Sequence, residues 1–308
     1  MNIVINIVAP IFGAVVLGAL LVRARLFDSA TSDGLAKFVY YVAIPALLFR
    51  SLSRAELPTV LPWRFILAFY VPSIALFAGG VFIARQSGWD RPSQGIAGMG
   101  ACYSNMVMLG IPMCHAAFGH DADVPLFTLI ALQSSILFTL ATYTIEIYGA
   151  RGTDASMPLH RMLGRLILNP VILCLLAGVI SNIAGWKPTD PIDNLLQELG
   201  LAAPGCALVS LGASLAQYKV RGAIGHAAIL VLLKNLLHPL MVWLACDVLA
   251  VTRAWTQVAV LLAAMPSGIN GYVFAKRYQL REEVISKTIV LSTLASSVVA
   301  GIVVGYYL

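Results

Sequence analysis

Residues 104 to 112 read Ser104-Asn105-Met106-Val107-Met108-Leu109-Gly110-Ile111-Pro112, and they lie inside a run from 92 to 120 that contains no Asp, Glu, Lys or Arg. A run of that length can cross a hydrocarbon core of roughly 30 Å as a helix rising about 1.5 Å per residue. Glycine and proline inside it weaken the helix, because proline has no N–H and clashes one turn back while glycine permits other backbone geometry. The stretch therefore reads as a membrane helix broken near its middle.

Similar uncharged runs cover residues 1 to 22, 65 to 84, 124 to 145, 166 to 186, 199 to 218, 254 to 275 and 288 to 308. Two more spans are interrupted, one held between Lys37 and Arg50 and one from about 225 to 250 with Lys234 inside it, which brings the count to ten. Arg50 extends the first by snorkelling, and Lys234 either snorkels or serves as a buried counter-charge. With 59% hydrophobic and 11% charged residues, the chain lacks the polar surface of a water-soluble domain. The runs do not alternate as the strands of a membrane barrel do, so the expected class is an all-α integral membrane protein of ten transmembrane helices.

The net charge of +6 does not point to nucleic acid, because the basic residues are scattered between the spans. Odd-numbered connections hold 14 of the 20, from Arg23 to Lys287. By the positive-inside rule these face the cytoplasm and both termini lie outside it, as in a multi-pass protein of a bacterial inner membrane. Residues 1 to 22 are read as a retained first helix, since Arg23 and Arg25 follow the apolar run. The five cysteines are unclustered and read as core residues, and no metal site is expected.

The polar connection at residues 150 to 162 divides the chain into five-helix repeats, 1 to 149 and 163 to 308. Pro10 with Gly18 corresponds to Pro170 with Gly178, and Pro45 with Ser51-Leu52 to Pro204 with Ser210-Leu211. Five helices are odd in number, so the second repeat enters from the opposite side, giving a 5+5 inverted repeat. The same shift sets Gly110 on Asn270 and Ile111 on Gly271. Pro266-Ser267-Gly268-Ile269-Asn270-Gly271 then breaks the ninth helix as Gly110 and Pro112 break the fourth. Crossed broken helices 4 and 9 would turn half-helix N-termini and the amides of Asn105 and Asn270 toward a carboxylate. Plain proline kinks, their polar groups satisfied by neighbouring helices, are the alternative.

Asn105 followed by Pro112 in a Val-Met-Leu-Gly-Ile-Pro context resembles the fourth span of the auxin efflux carrier family. Ala263-Ala264-Met265-Pro266-Ser267-Gly268-Ile269, Tyr272-Val273-Phe274-Ala275-Lys276-Arg277-Tyr278, Leu132-Gln133 and Glu146-Ile147-Tyr148-Gly149-Ala150 resemble its ninth and fifth spans. Gly271 stands where plant members carry a second proline and the long central loop is absent, so the bacterial-type members, often named malonate or dicarboxylate permeases, look closer. The resemblance implies the fold of bile-acid sodium symporters, with helices 1, 2, 6 and 7 as scaffold and helices 3–5 and 8–10 as a moving transport domain. It also implies that Asn105 holds the substrate carboxylate and Gln133 supports it, with Pro112 and residues 266 to 271 building the crossing. Tyr103, Ser104, Ser267 and Asn270 join the expected binding set by proximity.

Lys234 and Glu146 are candidates for charge or proton coupling, and His115 and His120 for a pH-sensitive gate. His-Glu-x-x-His, Gly-x-Ser-x-Gly and P-loop motifs are absent from the sequence, which argues against an enzyme or an ATP-driven pump. The expected function is secondary transport of a small carboxylate by an elevator-type shift, with no cofactor and with a proton or sodium as the coupling ion. The lipid bilayer and a homodimer partner through the scaffold helices complete the expected surroundings. A membrane sensor or channel of the same fold is the alternative.

Overall fold

A backbone that crosses hydrocarbon must satisfy its own N–H and C=O groups, and the helix does so locally. The computed structural model describes residues 2–57, 60–149, 170–218 and 224–308, and among them all secondary structure is helical apart from one isolated antiparallel bridge. Helix α1 is Asn2–Arg23, α2 is Ser29–Phe38, α3 is Ile44–Arg54 and α4 is Trp63–Gln86. They are followed by α5 (Arg91–Cys102), α6 (Ile111–Phe118) and α7 (Asp123–Gly149). The second half contains α8 (Pro170–Ile183), α9 (Asp190–Ala216), α10 (Gly225–Leu232) and α11 (His238–Val248). Helices α12 (Arg253–Ala264), α13 (Asn270–Tyr278) and α14 (Glu282–Tyr307) complete the chain. The proposed seam at 150 to 162 lies outside the described residues, as does the side chain of Glu146.

Among the described residues seven stretches are long and apolar enough to cross a membrane: Val4–Arg23, Ser29–Arg54, Trp63–Gln86, Met106–Ile145, Asp190–Ala216, Gly225–Val248 and Glu282–Tyr307. The runs at 92 to 120 and 254 to 275 are each divided in two, which gives the shorter helices α5, α12 and α13; α8 starts where the described residues resume. Exposure is inverted relative to a soluble protein. Leu17, Phe82, Leu201, Leu294 and Ile302 are exposed, while Lys234, Asn235, His238, Ser292 and Ser296 are fully buried, as expected where the outer solvent is lipid.

Pro10, Pro72 and Pro204 lie inside continuous α-helices, whereas three other prolines follow a change of helical pitch. One wide π turn precedes each: Val39–Ala43 before Ile44-Pro45, Met106–Gly110 before Ile111-Pro112, and Leu233–Leu237 before His238-Pro239. An i→i+5 turn moves the carbonyl that the proline ring would strike and leaves the missing N–H without consequence. Outside the spans, Asp28 caps α2 by accepting the Thr31 N–H at 2.7 Å, and that bond holds its carboxyl below the usual range.

The main packing falls into two sets. Helix α1 lies along α9, and α3 packs on both α8 and α9; α4 packs on α5 and α11, α5 on α7, and α14 on α10, α12 and α13. Glycines set the closest approaches in the first set. A Cβ at Gly18 would strike the Val209 carbonyl and one at Gly212 the Val15 carbonyl, while one at Gly178 would come to 3.0 Å from the Phe49 carbonyl. Such small-residue contacts let helix backbones touch. Gly212→Leu is therefore expected to destabilise the protein by about 3 kcal/mol, at the upper end of core overpacking, because a backbone carbonyl cannot rotate away as a side chain can. Thermal unfolding in detergent checks this, with the open position Gly79→Leu as a control.

The same set carries a charge cluster. Arg50 does not snorkel as expected: its Nε and one Nη meet the two oxygens of Asp193 at 3.0 and 3.1 Å, Arg54 adds a contact at 2.8 Å, and Asp193 is buried. A carboxylate at the start of α9 within reach outcompetes solvation of the guanidinium.

Candidate functional site

Helix α5 stops at Cys102 and Tyr103 turns extended; α12 stops at Ala264 and Met265 does the same. The two extended pieces cross and form the antiparallel bridge between Ser104 and Ser267. Asn105 N–H donates to the Pro266 carbonyl and Gly268 N–H to the Tyr103 carbonyl, each at 2.8 Å. The crossing thus lies at residues 103 to 105, ahead of the Gly-Ile-Pro expected to form it. Gly110 and Pro112 stand in helix beyond it, and Gly271 lies in the first turn of α13. Pro112 fails to break the chain because the π turn absorbs it. Gly110 has a different use: a Cβ there would come to 2.7 Å from Leu262 of α12. Pro266 and Gly268 are in the crossing itself, and a Cβ on Gly268 would reach 2.6 Å from the Tyr103 ring.

Neighbouring helices supply the partners that the broken helices lack. Gln133 of α7 clamps Ser104 twice, accepting its N–H at 3.2 Å and donating to its carbonyl at 2.9 Å. Ser267 N–H donates to Ser292 Oγ at 2.8 Å, and Ser267 Oγ donates to the Gly100 carbonyl at 3.2 Å. At the end of α12, Lys234 Nζ donates to the Ala263 carbonyl, while Asn235 and Ser296 donate to the Ala264 carbonyl at 3.2 and 2.8 Å. Lys234 is fully buried and does not snorkel; its Nζ supplies a donor to a helix C-terminus, whose last carbonyls have no partner within the helix, and lies 3.3 Å from His238 Nδ1.

The helices that restart at Met106 and Asn270 both begin at one cavity of about 170 Å³. It is lined by Tyr103, Asn105, Gln133, Ser134, Phe138 and Asn270 among others, and on its opposite wall by Tyr40, Val171 and Ile172 of the first helix set. Among the described residues none that line it is charged. Its polarity comes from amides, hydroxyls and two helix N-termini, an arrangement suited to an anion.

Asn105 caps the restarting helix by accepting the Met108 N–H on Oδ1 at 3.3 Å. Its Nδ2 is buried and has no hydrogen-bond partner, and Ser104 Oγ is in the same condition. Buried orphan donors are rare and call for a reason. Asn270 Nδ2 donates to the Tyr103 hydroxyl at 2.9 Å, which lies 3.2 Å from Ser134 Oγ, and Phe138 stacks on the Tyr103 ring with centroids 5.3 Å apart.

Of the expected binding residues, Tyr103, Ser104, Asn105, Gln133 and Asn270 come together on this cavity; Ser267 supports the bridge behind it, and Lys234 does not line it. Sequence reasoning missed Tyr40, Ser134, Phe138, Val171 and Ile172. Ser134 follows Gln133 directly, but the apolar wall from the first helix set carries no local signal.

A family model described as "Membrane transport protein" matches residues 3–304. The chain is 30% identical to a "Putative malonate transporter" of Rhizobium meliloti (strain 1021), covering 94% of this chain and 92% of that protein. It is 26% identical to auxin efflux carrier component 8 of Arabidopsis thaliana, with 94% of each chain covered. It is also 24% identical to the lysosomal cholesterol signaling protein of Mus musculus, over 93% of this chain and 35% of that one.

Proposed function

The chain belongs to this family of membrane transport proteins, which includes the auxin efflux carriers and is not a family of enzymes, and from that premise we propose that it is a secondary carrier of a small organic anion of the malonate class. The observation that carries this reading is the unpartnered Asn105 Nδ2 at a helix N-terminus, on an uncharged cavity between the two helix sets. An engineered cavity of about 150 Å³ accommodates benzene. The 170 Å³ here thus suits a three- or four-carbon acid better than a bicyclic aromatic one.

The carboxylate accepts from Asn105 Nδ2 and from the restarting helix, with Tyr103 beside Asn105 and Asn270 facing it from the other half. Helices α1 to α3 with α8 and α9 are the scaffold, and the remaining helices are the transport domain. Counting each broken pair as a single crossing and α2–α3 and α10–α11 as continuous gives ten passes in two inverted sets of five, as in the bile-acid symporter fold. The equivalence of Gly18 and Gly178 supports this, since each marks a close crossing with a helix of the opposite half. An elevator-type shift of the transport domain alternates access to the site, coupled to a proton or sodium. The basic connections support a reading with both termini outside the cytoplasm of a bacterial inner membrane, and the scaffold would be the surface for a homodimer.

The mouse relative, named as a signaling protein, favours a second reading as a sensor that binds without turnover. Proteoliposomes distinguish the two. Saturable accumulation or exchange of labelled malonate, competed by short dicarboxylates, is expected. Binding with no movement of label beyond empty liposomes would leave the sensor.

A further inference from the structure

Away from the transport cavity, His115 near the end of α6, His120 in the short 3₁₀ turn Gly119–Ala122 and Asp123 at the start of α7 converge on one point. Gly119, with φ +67°, reverses the chain and brings His120 back over His115, their rings 4.9 Å apart. The spacing resembles no zinc motif, because the convergence depends on the end of a helix and not on its periodicity. One imidazole nitrogen from each histidine meets a different oxygen of the buried Asp123, Nε2 of His115 at 2.6 Å and Nδ1 of His120 at 3.4 Å.

We propose that His115, His120 and Asp123 bind a divalent transition-metal ion of zinc-like preference at the mouth of the cleft between α3 and α7. The three ligand atoms lie within 4.8 Å of one another. With zinc bonds of about 2.0–2.2 Å, tetrahedral ligands stand roughly 3.3 Å apart, so small side-chain rotations close the set. Two imidazoles and one carboxylate match three-ligand zinc sites, which keep a fourth position for water, and nitrogen ligands disfavour magnesium and calcium. Asp121 lines the same cleft and adds negative charge beside the site. Arg50 and Arg54 also border the cleft, but both are engaged by Asp193, so Asp123 keeps its histidines as partners. The ion would fasten the connection between α6, which continues the helix capped by Asn105, and α7, which carries Gln133.

The test is a Zn²⁺ titration of the intact protein, purified in detergent on a histidine-free tag and followed by calorimetry and thermal unfolding. Wild type is expected to bind a single ion per chain and to unfold at higher temperature with it, whereas Mg²⁺ does neither. His120 is largely exposed, so His120→Ala leaves the core intact, and it is expected to weaken Zn²⁺ binding by roughly tenfold or more. His115→Ala is expected to do the same. Absence of Zn²⁺ binding by wild type, or equal affinity in wild type and His120→Ala, overturns the proposal.

Discussion

Asn105→Ala is expected to weaken substrate affinity by roughly ten- to a hundredfold, the equivalent of one hydrogen bond to a charged group at about 1.5–3 kcal/mol. Among the described residues the variant removes the one side-chain amide of the cavity that has no protein partner, so little else compensates for its loss. It also removes a helix cap, at about 0.5–2 kcal/mol of stability, and the two effects must be separated. Asn105→Ser separates them: serine caps well but cannot extend an N–H to the substrate. It should keep the unfolding temperature of wild type and lose affinity nearly as far as alanine does. Asn105→Asp should be worse than either, because a carboxylate would face the substrate carboxylate. Initial rates of labelled malonate uptake at graded concentrations, with thermal unfolding of the same preparations, give both quantities. Unchanged uptake in Asn105→Ala would remove the residue from the site.

The second large effect is structural. Lys234→Ala is expected to cost at least about 3 kcal/mol, because it opens a cavity in a packed region and also leaves the Ala263 carbonyl without its donor. In a chain of this size that lowers the unfolding temperature by roughly 5 °C or more. Lys234→Met restores the volume but not the donor and should recover only part of the loss. The ordering wild type, methionine, alanine in thermal unfolding is the signature of a capping lysine. If methionine instead matched wild type in stability and abolished substrate affinity, Lys234 would be a site charge after all.

The apolar runs were legible because hydrocarbon imposes composition directly, and the all-helical class followed from them. The position of the crossing was not legible. Gly110 and Pro112 look like breakers, yet a π turn carries the helix through them, as at Pro45 and Pro239. The true interruption, Tyr103 to Asn105, contains neither glycine nor proline; it is set by Gln133 and by residues 266 to 268, far away in the chain. Lys234 was ambiguous for the same reason, since its partner is a carbonyl that only the end of α12 exposes. Asn105 itself could be singled out by its place in an interrupted span and by the resemblance of the Asn105 to Pro112 stretch to the carrier family's fourth span.

Among the described residues none that line the cavity is ionised, so a bound anion keeps its own charge there. In the alternating-access cycle proposed above, any charge the protein itself moved in one stroke would return in the next, so a full cycle would transfer only what the cargo and any companion ion bring. Each uncompensated negative charge then works with or against the membrane potential by about 2.3 kcal/mol per 100 mV, and a dianion by twice that. With the cell interior negative, the potential drives an unaccompanied dicarboxylate outward, and net uptake against that potential needs a steeper inward gradient or cations that travel with it.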